Sequence, residues 1–358
     1  MAFERGVAMA TAELTKIRRL CDTMVKTREP KMRWMWGEAL LGYALSELDD
    51  YLGTEEYTSF LTGFCDYYMV HEPRVVCADT CAPALITYAM QKKNEDYKKL
   101  TDKVLGYIKN EPRLIDGAVN HLGKNIAGKF YPKSIWVDSL MMFSVFPARY
   151  GAETGEWDLL QYAAGQPAIY SRYMQDEKTG LWRHSYWTKF KRPHPKGEVY
   201  WARGNGWVVC ALPMILDYIG PDHEKRAEIL EIFRRTAKAV ITCQRSDGSF
   251  STVLKSRLYR ELSATALIAA GLLHGVRRGY LDETYLRPGL DAFRAVMGGI
   301  EETEQGVFMQ EISAPTIPVH IFPYLGYKYT PLGKNYPYGV AAAVFAAMEF
   351  DRLSVQDK

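Results

Sequence analysis

The sequence has no long apolar run and almost no net charge. No window approaches the roughly 18 uninterrupted apolar residues that a membrane-spanning helix requires. A formal net charge of +3 over 358 residues is too small to indicate a protein that binds the phosphates of nucleic acids. We therefore predict that neither a membrane nor a nucleic acid is a partner.

Cysteine is also scarce, with six residues spread over the chain. The N-terminal residues show no secretory leader pattern, so we expect reduced thiols and a cytoplasmic protein. Cys77 and Cys81 have a spacing that would place them on one helix face, but no further Cys or His follows at the spacing of metal ligands. We expect these two residues to be buried free thiols, and we predict no metal and no cofactor.

The alternation of polar and apolar residues that is typical of strands is almost absent. It occurs only in short pieces near Gly248–Leu254 and Thr316–Phe322. Helical periodicity dominates, in two kinds of segment. The charged, amphipathic kind needs one face on a core, and its members are Ala8–Lys26, Thr54–Val70, Asn94–Asn110, Gly155–Gln175, His223–Cys243 and Asp282–Met297. The other kind is apolar on nearly every side, and its members are Ala39–Leu48, Ala84–Met90, Leu140–Phe146, Trp207–Leu216, Ala264–Leu273 and Val340–Phe350.

These two kinds of helix alternate six times along the chain, which is typical of a repeated helical hairpin. A helix that is apolar all round must be covered all round, so the apolar helices are predicted to form an inner ring. We find no linker-like or low-complexity stretch. The sequence therefore predicts an all-α (α/α)6 toroid that forms a single domain over residues 1–358.

Residues that often cap helices precede four of the predicted inner helices. They are Asp79, Asp138, Asn205 and Ser263. In up-down hairpins the inner helices all run the same way, so their N-termini would meet at one end of the barrel. That end collects partial positive charge from helix dipoles and free N–H groups.

The segments that enter this end of the barrel are rich in aromatic and basic side chains. A cleft of this composition, with buried carboxylates beside it, suits a small acidic oligosaccharide. We predict that Asn205 also contributes to the cleft. The aromatic and basic residues are Trp34, Trp36, His121, Trp136, His184, Trp201, Arg203, Trp207 and Tyr338.

Asp138 lies in the stretch Tyr131–Phe143, between Trp136 and a run of large apolar side chains. A buried carboxylate costs several kcal/mol unless it is paired, so its presence needs a reason. It is either the N-cap of a helix that begins near Ser139, or a catalytic acid whose pKa is raised by its apolar neighbours. Asp79 allows the same two interpretations.

The string Tyr200–Trp207 (YWARGNGW) is the most specific motif in the chain. Its Arg203 offers a fork of donors that matches a carboxylate, either of a ligand or of an internal Asp or Glu. His121 and His184 are predicted on loops that lead to the same end of the barrel, where each fits a structural or a binding role. The basic segment Lys189–Lys196 is either solvated or holds a longer acidic ligand at the rim.

Several segments resemble the unsaturated rhamnogalacturonyl hydrolases of glycoside hydrolase family 105. The unsaturated glucuronyl hydrolases of family 88 are similar but more distant. The resemblance spans the chain from about residue 34 to residue 352. The segments that carry it are Asp176–His184 and Trp201–Trp207, followed by Tyr131–Asp138, Glu261–Ala266 and Tyr336–Gly339.

The resemblance implies an enzyme that removes an unsaturated (4,5-dehydro) uronyl residue from the non-reducing end of oligosaccharides left by polysaccharide lyases. It implies that Asp138 is the general acid/base and that Asp79 is a second, supporting aspartate. Asp79 is followed here by Thr80–Pro83, where the family has a polar stretch leading to a glycine. The residues implied to hold the uronate are His121, Trp136, His184, Arg203 and Trp207.

Two other functions fit the same features. A sugar 2-epimerase or aldose–ketose isomerase uses the same toroid, and it would have His121 and His184 as its acid and base. A non-catalytic oligosaccharide-binding protein would keep the aromatic cleft without the chemistry.

Overall fold

Outer and inner helices alternate along the chain in the computed structural model, which describes residues 10–28 and 32–356. The predicted first helix, Ala8–Lys26, begins at Ala12, and residues 8 and 9 lie outside the described residues. In chain order the helices are α1 (Ala12–Lys26), α2 (Trp36–Leu52), α3 (Thr58–Val70), α4 (Ala84–Gln91), α5 (Lys98–Asn110), α6 (Ile126–Phe130), α7 (Val145–Thr154), α8 (Trp157–Met174), α9 (Ala202–Tyr218), α10 (Arg226–Ile241), α11 (Leu262–Arg277), α12 (Leu286–Gly298), α13 (Pro323–Lys328) and α14 (Pro337–Gln356).

The inner ring consists of α2, α4, α7, α9, α11 and α14. Each of these helices packs against the next, and α14 closes the ring by packing against α2. Small residues allow the tightest contact: a Cβ on Gly271 of α11 would lie 2.1 Å from the carbonyl oxygen of Val209 on α9. The predicted (α/α)6 toroid is confirmed, because each helix in the ring is apolar on the sides that its neighbours cover.

The strands are short and antiparallel, and they lie in the connections between the helices. The predicted strand at Thr316–Phe322 is wrong, whereas β7 does lie within Gly248–Leu254. In chain order the strands are β1 (Arg113–Ile115), β2 (Ala118–Val119), β3 (Ser134–Trp136), β4 (Ser185–Trp187), β5 (Arg192–His194), β6 (Tyr200–Trp201), β7 (Val253–Leu254), β8 (Ile300–Thr303), β9 (Gly306–Met309), β10 (Ile312–Ser313) and β11 (Leu332–Gly333).

The predicted caps at Asp79 and Asp138 are wrong. Asp79 lies inside a 3₁₀ turn, Ala78–Thr80, whose N-cap is Cys77. Asp138 lies one residue before Ser139, which is the N-cap of a π-helical turn that leads into α7. Neither carboxylate therefore caps a helix.

The predicted caps at Asn205 and Ser263 are also wrong, because both residues lie inside their helices. The N-cap of α11 is Glu261, whose carboxylate accepts hydrogen bonds from the backbone N–H groups of Ser263 and Ala264. A fully buried carboxylate in this position is stabilised by the helix N-terminus.

Cys77 and Cys81 are buried free thiols, as predicted. Within residues 10–28 and 32–356, no group of three or more His, Cys, Asp or Glu side chains is arranged to hold a metal ion. Over the same residues, the helices are too short or too polar to cross a bilayer.

Candidate active site

Residues at the starts of four inner helices contact one another at one end of the barrel. Trp36 of α2 lies with its ring 4.6 Å from that of Tyr338 on α14 and 5.9 Å from that of Trp207 on α9. Arg203 of α9 contacts Ser263 of α11. The predicted convergence of helix N-termini is therefore present, and the candidate site residues lie around it.

A three-stranded sheet brings together residues that are far apart in the sequence. Strand β3 pairs with β4 so that Trp136 lies opposite Ser185. The N–H of Val137 then donates to the carbonyl of His184 at 3.0 Å. This register sets the side chain of Asp138 beside that of His184.

The first carboxylate–imidazole pair is Asp138–His184. Oδ2 of Asp138 lies 3.2 Å from Nε2 of His184, without the angles of a hydrogen bond. The imidazole stacks on Trp201 at 4.1 Å between ring centres, and its Nδ1 lies 2.9 Å from Oη of Tyr327. The imidazole is buried, whereas 13% of the carboxylate side chain stays exposed.

The second pair, Asp79–His121, repeats this arrangement. Oδ1 of Asp79 lies 3.3 Å from Nε2 of His121, and Nδ1 of the same ring lies 2.8 Å from Oγ of Ser139. Again the imidazole is buried and the carboxylate is the more exposed partner, at 20%. In both pairs the carboxylate is therefore the group that solvent or a ligand can reach.

Trp136 joins the two pairs. Its ring stacks on His121 at 4.5 Å between ring centres and meets His184 edge-on at 5.0 Å. Its indole N–H donates to Oγ of Ser134, which fixes the ring in the sheet. The arrangement holds two carboxylates and two imidazoles around one aromatic ring.

The charges of the two pairs differ. Burial raises the pKa of Asp138, but His184 and His121 outweigh it and hold that pKa below its ordinary value. Burial lowers the pKa of His184, and Asp138 only partly offsets this effect. Burial also lowers the pKa of His121, but there the Asp79 carboxylate outweighs it and raises the pKa. In the free protein Asp138 is therefore ionised, and His121 is the more basic imidazole.

Arg203 does not present a free donor fork. Its Nη1 donates to the carbonyl and hydroxyl oxygens of Ser313 and its Nη2 to the carbonyl of Ala314, while Glu261 lies 3.8 Å away. The guanidinium is fully buried between the rings of Trp201 and Tyr338. This geometry favours the alternative in which Arg203 braces an internal carboxylate.

Asn205, predicted to contribute to the cleft, is also used within the protein. Its amide oxygen accepts from the N–H of Trp182, and its amide nitrogen donates to the carbonyls of Trp182 and Trp201. These contacts use both N–H groups of the side-chain amide and leave one lone pair on its oxygen for another partner. Asn205 therefore ties the loop before His184 to α9.

Four buried polar atoms at this end of the barrel lack a hydrogen-bond partner among the described residues. They are Oδ2 of Asp138, Nε2 of His184, Nε of Arg203 and Nε1 of Trp207. Buried polar atoms are rarely left in this state. Their concentration here marks the region where a polar ligand would be stabilised.

Two residues that the sequence did not single out, Ser139 and Tyr327, complete the site together with Glu261, which begins the segment Glu261–Ala266. Ser139 and Tyr327 orient the two imidazoles, and Glu261 caps α11 beside Arg203. Tyr327 comes from α13, a six-residue helix in a long connection, and only tertiary packing brings it to His184. Its neighbours in the sequence give no signal for this contact.

The comparisons with known proteins confirm the predicted resemblance. A model of Glycosyl Hydrolase Family 88 matches residues 11–354. The chain is 25% identical to the unsaturated rhamnogalacturonyl hydrolase YesR of Bacillus subtilis, over 92% of this chain and 93% of that protein.

Its fold is similar to the crystal structures of two possible family 105 members. One, from Salmonella enterica, is 21% identical, with 99% of this chain and 97% of that chain covered and a TM-score of 0.85. The other, from Klebsiella pneumoniae, is 23% identical, with 98% and 96% covered and a TM-score of 0.85. The chain therefore belongs to Glycosyl Hydrolase Family 88 and is a glycoside hydrolase.

Proposed function

We propose that this enzyme removes an unsaturated 4,5-dehydro uronyl residue from the non-reducing end of small acidic oligosaccharides produced by polysaccharide lyases. The observation that carries the proposal is the double pair, Asp138–His184 and Asp79–His121, around Trp136. The similarity to the unsaturated rhamnogalacturonyl hydrolase of Bacillus subtilis supports the same reaction class.

In the proposed reaction Asp138 acts first as an acid and then as a base. Its carboxyl proton goes to C4 of the C4=C5 double bond, which leaves an oxocarbenium-like centre at C5. The carboxylate then accepts a proton from the water that attacks C5. The hemiketal formed at C5 opens and releases the neighbouring sugar, so Asp138 returns to its starting protonation state.

The acid step needs a protonated Asp138, whereas His184 and His121 keep its pKa low in the free protein. The substrate carries its own carboxylate. Bound near the imidazoles, this anion offsets their positive field and disfavours a second ionised carboxylate beside it. Substrate binding therefore raises the pKa of Asp138 toward the working range of a general acid.

We place the uronate carboxylate near His121, where it is attracted by the charge of the buried ring without contacting a ring nitrogen, because the pKa of His121 is raised and it is the more basic imidazole. Asp79 is then a positioning residue that keeps His121 charged. Trp136 is buried with one face on His121, so it holds the two pairs in place. The partly exposed Trp36, packed on Trp207, lies in the aromatic lining of the site.

The geometry does not favour the isomerase or epimerase alternative. That chemistry needs an imidazole nitrogen free to exchange a proton with the sugar. Here Nε2 of each imidazole faces a carboxylate, and Nδ1 of each pairs with a hydroxyl group. The carboxylates are the exposed members of both pairs.

The proposal is tested by incubating the enzyme with lyase digests of acidic polysaccharides and following the loss of ultraviolet absorbance of the conjugated double bond. Wild type removes the absorbance. Asp138→Asn should lower turnover about 10²- to 10⁴-fold, the usual contribution of general acid–base catalysis. Asp222→Asn, in the exposed turn after α9, is the matched control and should behave as wild type.

Two results would contradict the proposal. Near wild-type turnover by Asp138→Asn would remove Asp138 from the chemistry. Oligosaccharide binding by wild type without loss of absorbance on any digest would favour the non-catalytic binding alternative.

We place the reaction in the cytoplasm, because all six thiols are free and five of them are buried. Cell fractionation followed by immunoblotting tests this location. Recovery of the protein outside the cytoplasmic fraction would contradict it.

A further inference from the structure

A basic hairpin leads outward from His184. Strands β4 and β5 pair so that Trp187 lies opposite Arg192, and the turn between them carries Lys189 and Lys191. Neither Arg192 nor the lysines of residues 189–196 have a carboxylate within 4.0 Å in the described part of the chain. The hairpin therefore exposes positive charge that none of the described carboxylates pairs with.

A groove of about 470 Å³ lies between this hairpin and the segment His320–Leu325. Arg192 and Lys196 form the basic wall, and the buried imidazole of His194 lies in the same segment. The opposite wall carries Phe322, which is 71% exposed, together with Tyr324 and Leu325. Cations on one side and exposed apolar rings on the other suit a sugar that carries an anionic group.

The walls of the groove are held in place. The guanidinium of Arg192 lies 5.2 Å from the centre of the Trp187 ring, which orients its planar donors. The imidazole of His194 also stacks on Trp187, at 3.9 Å between ring centres. Its Nε2 lies 2.8 Å from the carbonyl oxygen of Val319. The two sides of the groove are thus joined by a direct contact.

The groove is also connected to the active site by aromatic rings. Trp187 donates to Oη of Tyr131, and Tyr131 packs on Trp136, the ring that joins the two carboxylate–imidazole pairs. Trp187 lies three residues after His184, which is about 10 Å along a strand. The basic wall therefore lies on the far side of this aromatic cluster from Asp138, at a distance that suits a later sugar of a chain rather than the first.

We infer that this groove is an outer subsite that binds an anionic group, carboxylate or sulfate, on a sugar beyond the leaving sugar. The inference rests on the proposed function, because it takes the uronate at His121 as the start of the chain. The natural substrates are then oligosaccharides longer than a disaccharide, with a second acidic sugar.

The test compares three unsaturated tetrasaccharides and an unsaturated disaccharide as substrates. The tetrasaccharides carry a carboxylate, a sulfate or a neutral carboxyl-reduced group on the distal sugar. Wild type should cleave an anionic tetrasaccharide with a kcat/KM about tenfold above that of the neutral one, and added salt should reduce this preference. The anion that gives the larger preference, carboxylate or sulfate, is the group that the subsite binds.

The double variant Arg192→Gln/Lys196→Gln should lose most of this preference while its disaccharide turnover stays at the wild-type level. Lys109→Gln, an exposed lysine on α5 paired with Glu156, is the matched control and should retain the preference. An equal preference in wild type and the double variant would overturn the subsite, as would a wild type that does not distinguish anionic from neutral tetrasaccharides.

Binding measurements separate this inference from the proposed function. Titration calorimetry on Asp138→Asn protein, with and without the groove substitutions, reports the same preference without turnover. If no substrate is cleaved and the binding preference persists, the proposed reaction fails and the anion subsite stands. If cleavage occurs and binding shows no preference, the subsite fails and the proposed reaction stands.

Discussion

Oη of Tyr327 lies 2.9 Å from Nδ1 of His184, the imidazole whose other nitrogen faces Asp138. Burial, together with nearby Tyr131 and Asp138, raises the pKa of Tyr327 far above its ordinary value, so the phenol keeps its proton. Its O–H then donates to Nδ1, which places the imidazole proton on Nε2, the nitrogen that lies 3.2 Å from the carboxylate of Asp138. Tyr327 is thus a positioning residue that favours the ionised form of Asp138.

Tyr327→Phe is expected to raise the pKa of Asp138. Without the phenol, His184 can carry its proton on Nδ1, and the Nε2 lone pair then faces the carboxylate and favours its protonated form. A lost hydrogen bond of about 1 kcal/mol corresponds to about 0.7 pKa unit. The high-pH limb of the kcat profile, which falls as Asp138 loses its proton, should move to higher pH by about this amount.

The control for Tyr327→Phe is Tyr259→Phe, whose hydroxyl donates to the carbonyls of Tyr327 and Thr330. This change loosens the same segment without touching His184. The other charged groups near His184 and Asp138 are His121 and Arg203, which both variants retain. An equal shift of the limb in both variants would assign the effect to the segment rather than to the proton on His184.

The helices could be predicted from the sequence because their signals are local. The apolar segment Ala264–Leu273 and the amphipathic segment His223–Cys243 show their burial in their own periodicity. The caps could not be predicted, because 3₁₀ and π-helical turns precede α4 and α7 and displace the helix starts from Asp79 and Asp138. Those turns depend on tertiary contacts.

The candidate site was predicted only in part for a similar reason. The types and positions of His121, Trp136 and His184 are visible in the sequence, but their pairing depends on the register of three-residue strands. Such strands are too short to show alternation. The two interpretations of Arg203 differ only in the partners that the remote residues Ser313 and Ala314 provide.

Arg203→Lys is expected to lower stability rather than substrate selectivity. Lysine keeps the charge but cannot reach Ser313 and Ala314 at once, and each buried charged hydrogen bond contributes about 1.5 to 3 kcal/mol. Urea unfolding should show a loss of about 3 kcal/mol in the free energy of unfolding. The ratio of activities on the uronate and on its methyl ester should stay at the wild-type value. A collapse of this ratio at unchanged stability would show that Arg203 reads the substrate carboxylate.

Treatment with a metal chelator should leave activity unchanged. The proposed proton transfers run through Asp138, and the described His, Cys, Asp and Glu side chains form no group that could hold a metal ion. The measurement is the rate of absorbance loss before and after incubation with EDTA and gel filtration. Loss of activity that a divalent ion restores would contradict this expectation.

Asp79→Asn should weaken substrate binding in a pH-dependent manner, because Asp79 acts through His121. Burial lowers the pKa of His121 and the Asp79 carboxylate raises it above its ordinary value, with a further contribution from Asp138. Without the Asp79 charge, burial dominates and the pKa of His121 falls below its ordinary value of about 6.5. Above pH 6.5 the variant therefore carries less imidazolium charge than wild type.

The expected result is a rise in KM that is larger than the fall in kcat and that grows with pH. As the pH falls, the imidazole of the variant regains its proton, so the KM of the variant should move toward that of wild type. Steady-state kinetics on the unsaturated disaccharide at pH 5.5 and pH 8 measure this difference. Asp138→Asn is the comparison, since loss of the acid/base group lowers kcat about 10²-fold or more at both pH values. If Asp79→Asn shows the same uniform loss of kcat, Asp79 takes part in the chemistry itself and does not act through the charge of His121.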